Sequence, residues 1–157
     1  MRVLFVCTGN TCRSPMAEGF ARELSSSRGP LARGIHWSSA GVAAVPASGA
    51  SDLAIAAMRE EGIDISNHVT QVASGERVRE ADLILTMTQD QANELRNRFP
   101  FAANRVYALK EYSHLTEEGA LDIPDPASGD LAAYRACAEE IKKAVLALLE
   151  VIDPAGG

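Results

Sequence analysis

The stretch Cys7-Thr8-Gly9-Asn10-Thr11-Cys12-Arg13-Ser14-Pro15 constrains this chain more than any other. It follows the apolar run Val3-Leu4-Phe5-Val6 and precedes an amphipathic stretch from Met16 to Leu24, so the order reads strand, tight loop, helix. A loop that closes into a helix N-terminus collects backbone N–H groups around one point, and the helix dipole adds positive potential there. Such a point suits a tetrahedral dianion. Cys7 begins the loop, which sets its sulfur beneath the anion; Arg13 ends it, where a guanidinium fork grips two anion oxygens. These surroundings favour a thiolate at Cys7, and Ser14 is placed to donate to that sulfur. A nucleotide-binding loop would need Gly-Lys-Ser/Thr or G-x-G-x-x-G, and the stretch has neither. The plainer alternatives are an inert buried cysteine at a strand end and simple turn duty for Gly9 and Asn10, which both tolerate positive φ.

The rest of the chain alternates in the same way. Ile35–Ser39 reads as a short strand ended by Gly41, and Ser51–Glu61 as a helix stopped by Gly62. A short helix is expected over Gly75–Ala81, a near-continuous apolar strand over Ala81–Met87 and a polar helix over Gln89–Phe99. Arg105–Leu109 reads as a strand, and Lys110–Gly129 as a long loop rich in Pro, Gly and Asp. The last helix starts near Asp130, with Leu131, Tyr134, Ala138, Ile141, Val145, Leu148 and Ile152 along one face. Four strands alternating with helices predict an α/β fold: a single-domain, doubly wound, four-stranded parallel sheet with helices on both faces and an anion-binding loop after strand 1. In such sheets ligands lie beyond the carboxyl ends of the strands, which brings residues near 125 toward Cys7.

Composition narrows the function classes. A length of 157 residues is expected to make one domain, 1–157, and a net charge of −6 argues against nucleic acid as a partner. No apolar run is long enough to span a bilayer, and no signal peptide is legible, so neither a membrane partner nor export is expected. Three cysteines do not make a disulfide framework, and a working thiolate fits a cytoplasmic location. No His, Cys and Asp spacing suggests a metal site.

Residues 7–18, Cys-Thr-Gly-Asn-Thr-Cys-Arg-Ser-Pro-Met-Ala-Glu, resemble the signature of the low-molecular-weight protein tyrosine phosphatase family. Ser39-Ala40-Gly41-Val42, Leu109-Lys110-Glu111-Tyr112 and Asp125-Pro126 match it too, so the resemblance spans nearly the whole chain. The signature is most similar to the protein-arginine phosphatase branch, mainly through Thr11, where tyrosine-directed relatives usually carry Ile. The resemblance implies strand order 2-1-3-4 and phosphorylated proteins as substrates, with no cofactor and no metal. It implies a phosphocysteine intermediate on Cys7 and phosphate binding by Thr8, Gly9, Asn10, Thr11, Cys12, Arg13 and Ser14. The branch implies phosphoarginine as the substrate group; phosphotyrosine is the alternative.

Other residues take roles from the same resemblance. Phenol has a pKa of about 10 and guanidine one above about 12, so either leaving group needs an acid. The long loop offers Glu117, Glu118, Asp122 and Asp125, and the Asp-Pro match selects Asp125; Asp122 reads as a turn residue. Asn10, Ser39 and His68 match positions that brace the loop, as Ser14 does; for His68 an ordinary loop histidine is the alternative. The resemblance further implies a reversible Cys7–Cys12 disulfide, with simple packing of Cys12 as the alternative, while Cys137 reads as core. Two departures stand out: Ala43 and Ala127 occupy positions where the family places aromatic pocket walls. Thiol-coupled arsenate reduction would need a further pair of relay cysteines, and only Cys12 and Cys137 remain. A non-catalytic phosphate-binding module is hard to square with the intact set Cys7, Arg13 and Asp125.

Overall fold

The computed structural model describes residues 1–115 and 120–154. Its strands are β1 (Arg2–Cys7), β2 (His36–Gly41), β3 (Leu83–Thr86) and β4 (Val106–Ala108). The helices are α1 (Arg13–Ser25), α2 (Pro30–Arg33), α3 (Asp52–Glu60), α4 (Gly75–Glu80), α5 (Gln89–Arg98), α6 (Leu109–Tyr112) and α7 (Leu131–Ile152), with a 3₁₀ segment at Pro100–Arg105. All strand pairs are parallel and the order is β2-β1-β3-β4, as the family resemblance implied.

β1 lies in the middle of the sheet because both its faces are apolar. Val3, Leu4, Phe5 and Val6 are at most 2% exposed. Side chains alternate across a strand, so Val3 and Phe5 enter one core with α1, α3 and α7, while Leu4 and Val6 enter a second with α4 and α5. Each large side chain removed from water in this way contributes about 1.5–3 kcal/mol. Trp37 of β2 stacks on Phe5 at 5.7 Å, as a strand residue and not a pocket wall. On α7 the expected stripe is the buried face: Tyr134, Ala138, Ile141, Val145 and Leu148 are all buried, joined by Cys137. Asp130 caps that helix, accepting from Ala133 N at 3.1 Å.

Several boundaries differ from the sequence expectation. α1 begins at Arg13, three residues ahead of the amphipathic Met16–Leu24 stretch, so Arg13 and Ser14 belong to the helix as well as to the loop. Pro15 still falls in the first turn, where its missing N–H leaves no bond unmade. β2 extends to Gly41 because its register pairs Cys7 with Gly41. β4 is shorter than Arg105–Leu109, since Arg105 closes the 3₁₀ segment and Leu109 opens α6. The start of the expected Lys110–Gly129 loop is therefore helical. α2 forms ahead of β2 without any expectation from the sequence: Pro30 presets its first turn and Asp153 Oδ2 accepts from Ala32 N at 3.1 Å.

Candidate active site

The loop Cys7–Ser14 joins the carboxyl end of β1 to the N-terminus of α1. The N-cap residue Cys12 makes no side-chain cap bond, so no cap side chain takes up the first-turn N–H groups of α1. Gly41 lies directly under the loop: a Cβ there would stand 2.5 Å from Thr8 O and 2.9 Å from Asn10 N. Only glycine allows that approach.

Cys7 is buried, and its Sγ receives Asn10 N at 3.3 Å. Ser14 Oγ lies 2.9 Å from the same sulfur. Asn10 Nδ2 donates to Ser14 Oγ at 2.8 Å, which leaves the single Ser14 proton for Sγ when the sulfur is ionised. Its competing acceptor, Ala40 O, is farther away at 3.4 Å.

Asn10 is the hub of the loop. It is fully buried at φ 57°, a conformation that costs about 1–2 kcal/mol for a non-glycine residue. Every polar group it owns is used. Nδ2 also donates to Ser39 Oγ at 3.0 Å, Oδ1 accepts from Gln71 N at 2.9 Å, and its carbonyl accepts from His68 Nε2 at 2.8 Å. A carbonyl only accepts, so His68 carries its proton on Nε2. Ser39 Oγ in turn donates to Glu18 Oε1 at 2.7 Å, and Arg22 pairs with the other Glu18 oxygen at 2.7 Å. The structure thus gathers Ser14, Ser39 and His68 around Asn10, and adds Glu18 and the Gln71 backbone.

Arg13 is only 4% exposed although it is charged. Nη1 donates to Ile123 O at 2.8 Å, and Nη2 lies 3.7 Å from Asp125 Oδ2. The far loop therefore reaches the near one through this guanidinium. Asp125 has its side chain 52% exposed, and its Oδ1 accepts from Ala127 N at 3.0 Å, closing an Asx turn. Asp122 does more than turn the chain: its Oδ1 accepts from Gln89 N at 2.8 Å, at the start of α5. Ile123 N donates to Met87 O at 2.9 Å beside it. Glu117 and Glu118 lie outside the described residues. Ala43 and Ala127, at the two expected wall positions, are exposed and act through their backbone. Ala43 N donates to Thr8 O at 2.9 Å, while Ala127 N supports Asp125.

Thr11 is half-buried at the rim, and its carbonyl accepts from Ser51 N at 2.9 Å. Cys12 Sγ meets Tyr134 OH at 3.3 Å and Ser51 Oγ at 3.5 Å. Burial, followed by the bond to Cys12, pushes the Tyr134 phenol above its usual range. Cys137 is buried against Pro124 O, and burial pushes its thiol up to about 12. All three thiols are free. Sequence reasoning gave Tyr134, Ser51 and Gln91 no place at the site. Only Gln91 had a local signal, the Thr88-x-x-Gln91 capping box.

A cysteine at a strand end, main-chain donors at a helix N-terminus and a buried arginine together define an anion cradle with a sulfur at its base. The chain belongs to the family described as low molecular weight phosphotyrosine protein phosphatase, whose model matches residues 2–155. It is 37% identical over 152 residues to a protein-arginine-phosphatase of Geobacillus stearothermophilus, covering 97% of this chain and 96% of that one. Its fold matches the YwlE arginine phosphatase, solved as a cysteine-to-serine mutant with a phosphorylated active-site serine. That match has a TM-score of 0.86 and 31% identity, covering 96% of this chain and 94% of the other. A low molecular weight protein tyrosine phosphatase from T. tengcongensis matches at TM-score 0.87 and 38% identity, covering 96% and 98%. Among the described residues no helix is long and apolar enough to cross a membrane.

Proposed function

We propose that this chain is a cysteine-dependent phosphatase that removes the phosphoryl group from phosphoarginine residues of proteins. The observation that carries the chemistry is the sulfur of Cys7, buried at the loop base and facing Asn10 N and Ser14 Oγ. The thiolate is the nucleophilic form of a cysteine, and these donors are placed to hydrogen-bond it. Cys7 attacks phosphorus in line, forming the S–P bond as the P–N bond breaks. Backbone N–H groups from Thr8 to Arg13, with the Arg13 fork, hold the three equatorial oxygens. Asp125 donates its proton to the departing guanidine nitrogen. The resulting carboxylate then takes a proton from the water that breaks the S–P bond, releasing inorganic phosphate and the thiolate. Asn10, Ser14, Ser39 and His68 hold the loop in its left-handed bend. Cys12 serves as the resolving thiol when peroxide oxidises Cys7, closing a reversible disulfide with loss of water.

Specificity for arginine rests on Thr11 and on the arginine phosphatase among the similar proteins. Thr offers little apolar contact to a phenyl ring, and the alanines at 43 and 127 provide no ring to stack on one. The tyrosine reading stays as the second, because the T. tengcongensis protein is equally similar at 38% identity. Matched phosphoarginine and phosphotyrosine peptides decide between them. The expected outcome is faster turnover of phosphoarginine and a shift toward phosphotyrosine in Thr11→Ile; preference for tyrosine by the unaltered protein would end the arginine reading. Cys7→Ser should abolish turnover of both.

A further inference from the structure

The turn from β3 leads into Gln91, in the first turn of α5 and 6% exposed, whose side chain touches the loop of Cys7. Its Oε1 accepts from Met87 N and from Thr88 N, both at 3.0 Å. Two backbone donors at one end of a carboxamide fix which end is oxygen. The other end, Nε2, therefore carries the protons, and it points at Thr8 Oγ1, 3.0 Å away. Thr8 is an acceptor in that bond by necessity. Its carbonyl is taken by Ala43 N, so backbone and side chain of this exposed residue are each tied to a different element.

We propose that Gln91 is a positioning residue: by holding the Thr8 hydroxyl it sets the first residue after Cys7, and with it the first N–H of the anion cradle. This rests on the phosphatase reading above. Capping α5 does not require the bond. The capping box uses only Oε1, and glutamate fills that position equally well. The same turn also anchors the Asp125 loop, through Met87 O to Ile123 N and Gln89 N to Asp122 Oδ1. Gln91 thus ties the cradle to the support that carries the proposed acid.

The experiment is a double-mutant cycle read by kcat and KM on an aryl phosphate, with Tm measured alongside. Gln91→Met removes both ends of the carboxamide, so that neither a donor nor an acceptor faces the Thr8 hydroxyl. Thr8→Val removes the acceptor, and Thr8→Ser keeps it. Each of Gln91→Met and Thr8→Val is expected to lower kcat/KM about tenfold, the scale of one lost hydrogen bond. The double variant should fall no further than the worse single one, because both remove the same bond. Thr8→Ser should lose less than Thr8→Val, and Thr8→Val, which leaves the cap of α5 intact, should melt within about 2 °C of the unaltered protein. Losses that multiply in the double variant would overturn the proposal, since the lost cap of α5 would then explain Gln91→Met. Single variants that match the unaltered protein while Cys7→Ser is inactive would overturn it too. Turnover retained by Cys7→Ser would instead sink the phosphatase reading, and this proposal with it.

Discussion

The two halves of the candidate site are built differently. The Cys7–Ser14 loop is closed around Asn10, whose backbone and side chain all have partners and which no solvent reaches. The Asp125 segment is anchored at one side, by Ile123 and Asp122, and its carboxylate stands half in solvent. A left-handed Asn and a buried Arg need many constraints to persist, and the first half supplies them. An acid that gives a proton, then takes one from water, needs access more than rigidity. Binding is thus over-determined where geometry must not change, and lightly held where protons and water must pass.

That contrast can be broken by substitution. The largest effect expected is on activity in Asp125→Asn: kcat on a phosphopeptide falls by about 10²–10⁴-fold, while Tm hardly moves because the lost contact to Arg13 is long and solvated on the Asp125 side, and Arg13 keeps its bond to Ile123 O. Asn10→Ala should do both kinds of damage. It leaves Gln71 N and Ser39 without their partner and keeps a left-handed alanine, costing about 3 kcal/mol in a urea melt, with activity lost as well. If Asp125→Asn destabilised as much as Asn10→Ala, the two halves would not differ as described.

A smaller effect concerns Cys137, beneath the Asp125 segment. Its thiol stays protonated in the folded protein up to about 12, whereas the unfolded chain loses that proton near the ordinary thiol value of about 8.5. The folded state holds the extra proton between these values, so this contribution is full below the lower one and is lost as pH rises toward the upper. Urea melts from pH 8 to 10 should show a steeper loss in the unaltered protein than in Cys137→Ala. Smallest of all, Ala47→Gly should raise stability by up to about 1 kcal/mol, since Ala47 sits at φ 62°. It lies outside both halves, so activity should hold.

Much of this was legible in residue order. Val3–Val6 before Cys7 announced a strand, and Asp130 announced the start of α7; the strand's central place came through the family resemblance. The helix at Leu109–Tyr112 was not legible, because a four-residue helix leaves no periodicity to read. The bracing of Asn10 was reached through family resemblance; nothing local ties His68 to a loop distant in sequence. Gln91 was readable as a cap, but its second bond depends on where Thr8 lies in space.

Residue order alone determined that a cysteine, a tight turn and an arginine share one short loop between a strand and a helix, since those parts are local and rest on backbone geometry. Tertiary structure decided how the loop is held and what faces it. Ser39, His68 with Gln71, Gln91 and Ile123 come from four separate segments, and only the packing of a parallel sheet brings their polar atoms within hydrogen-bond reach.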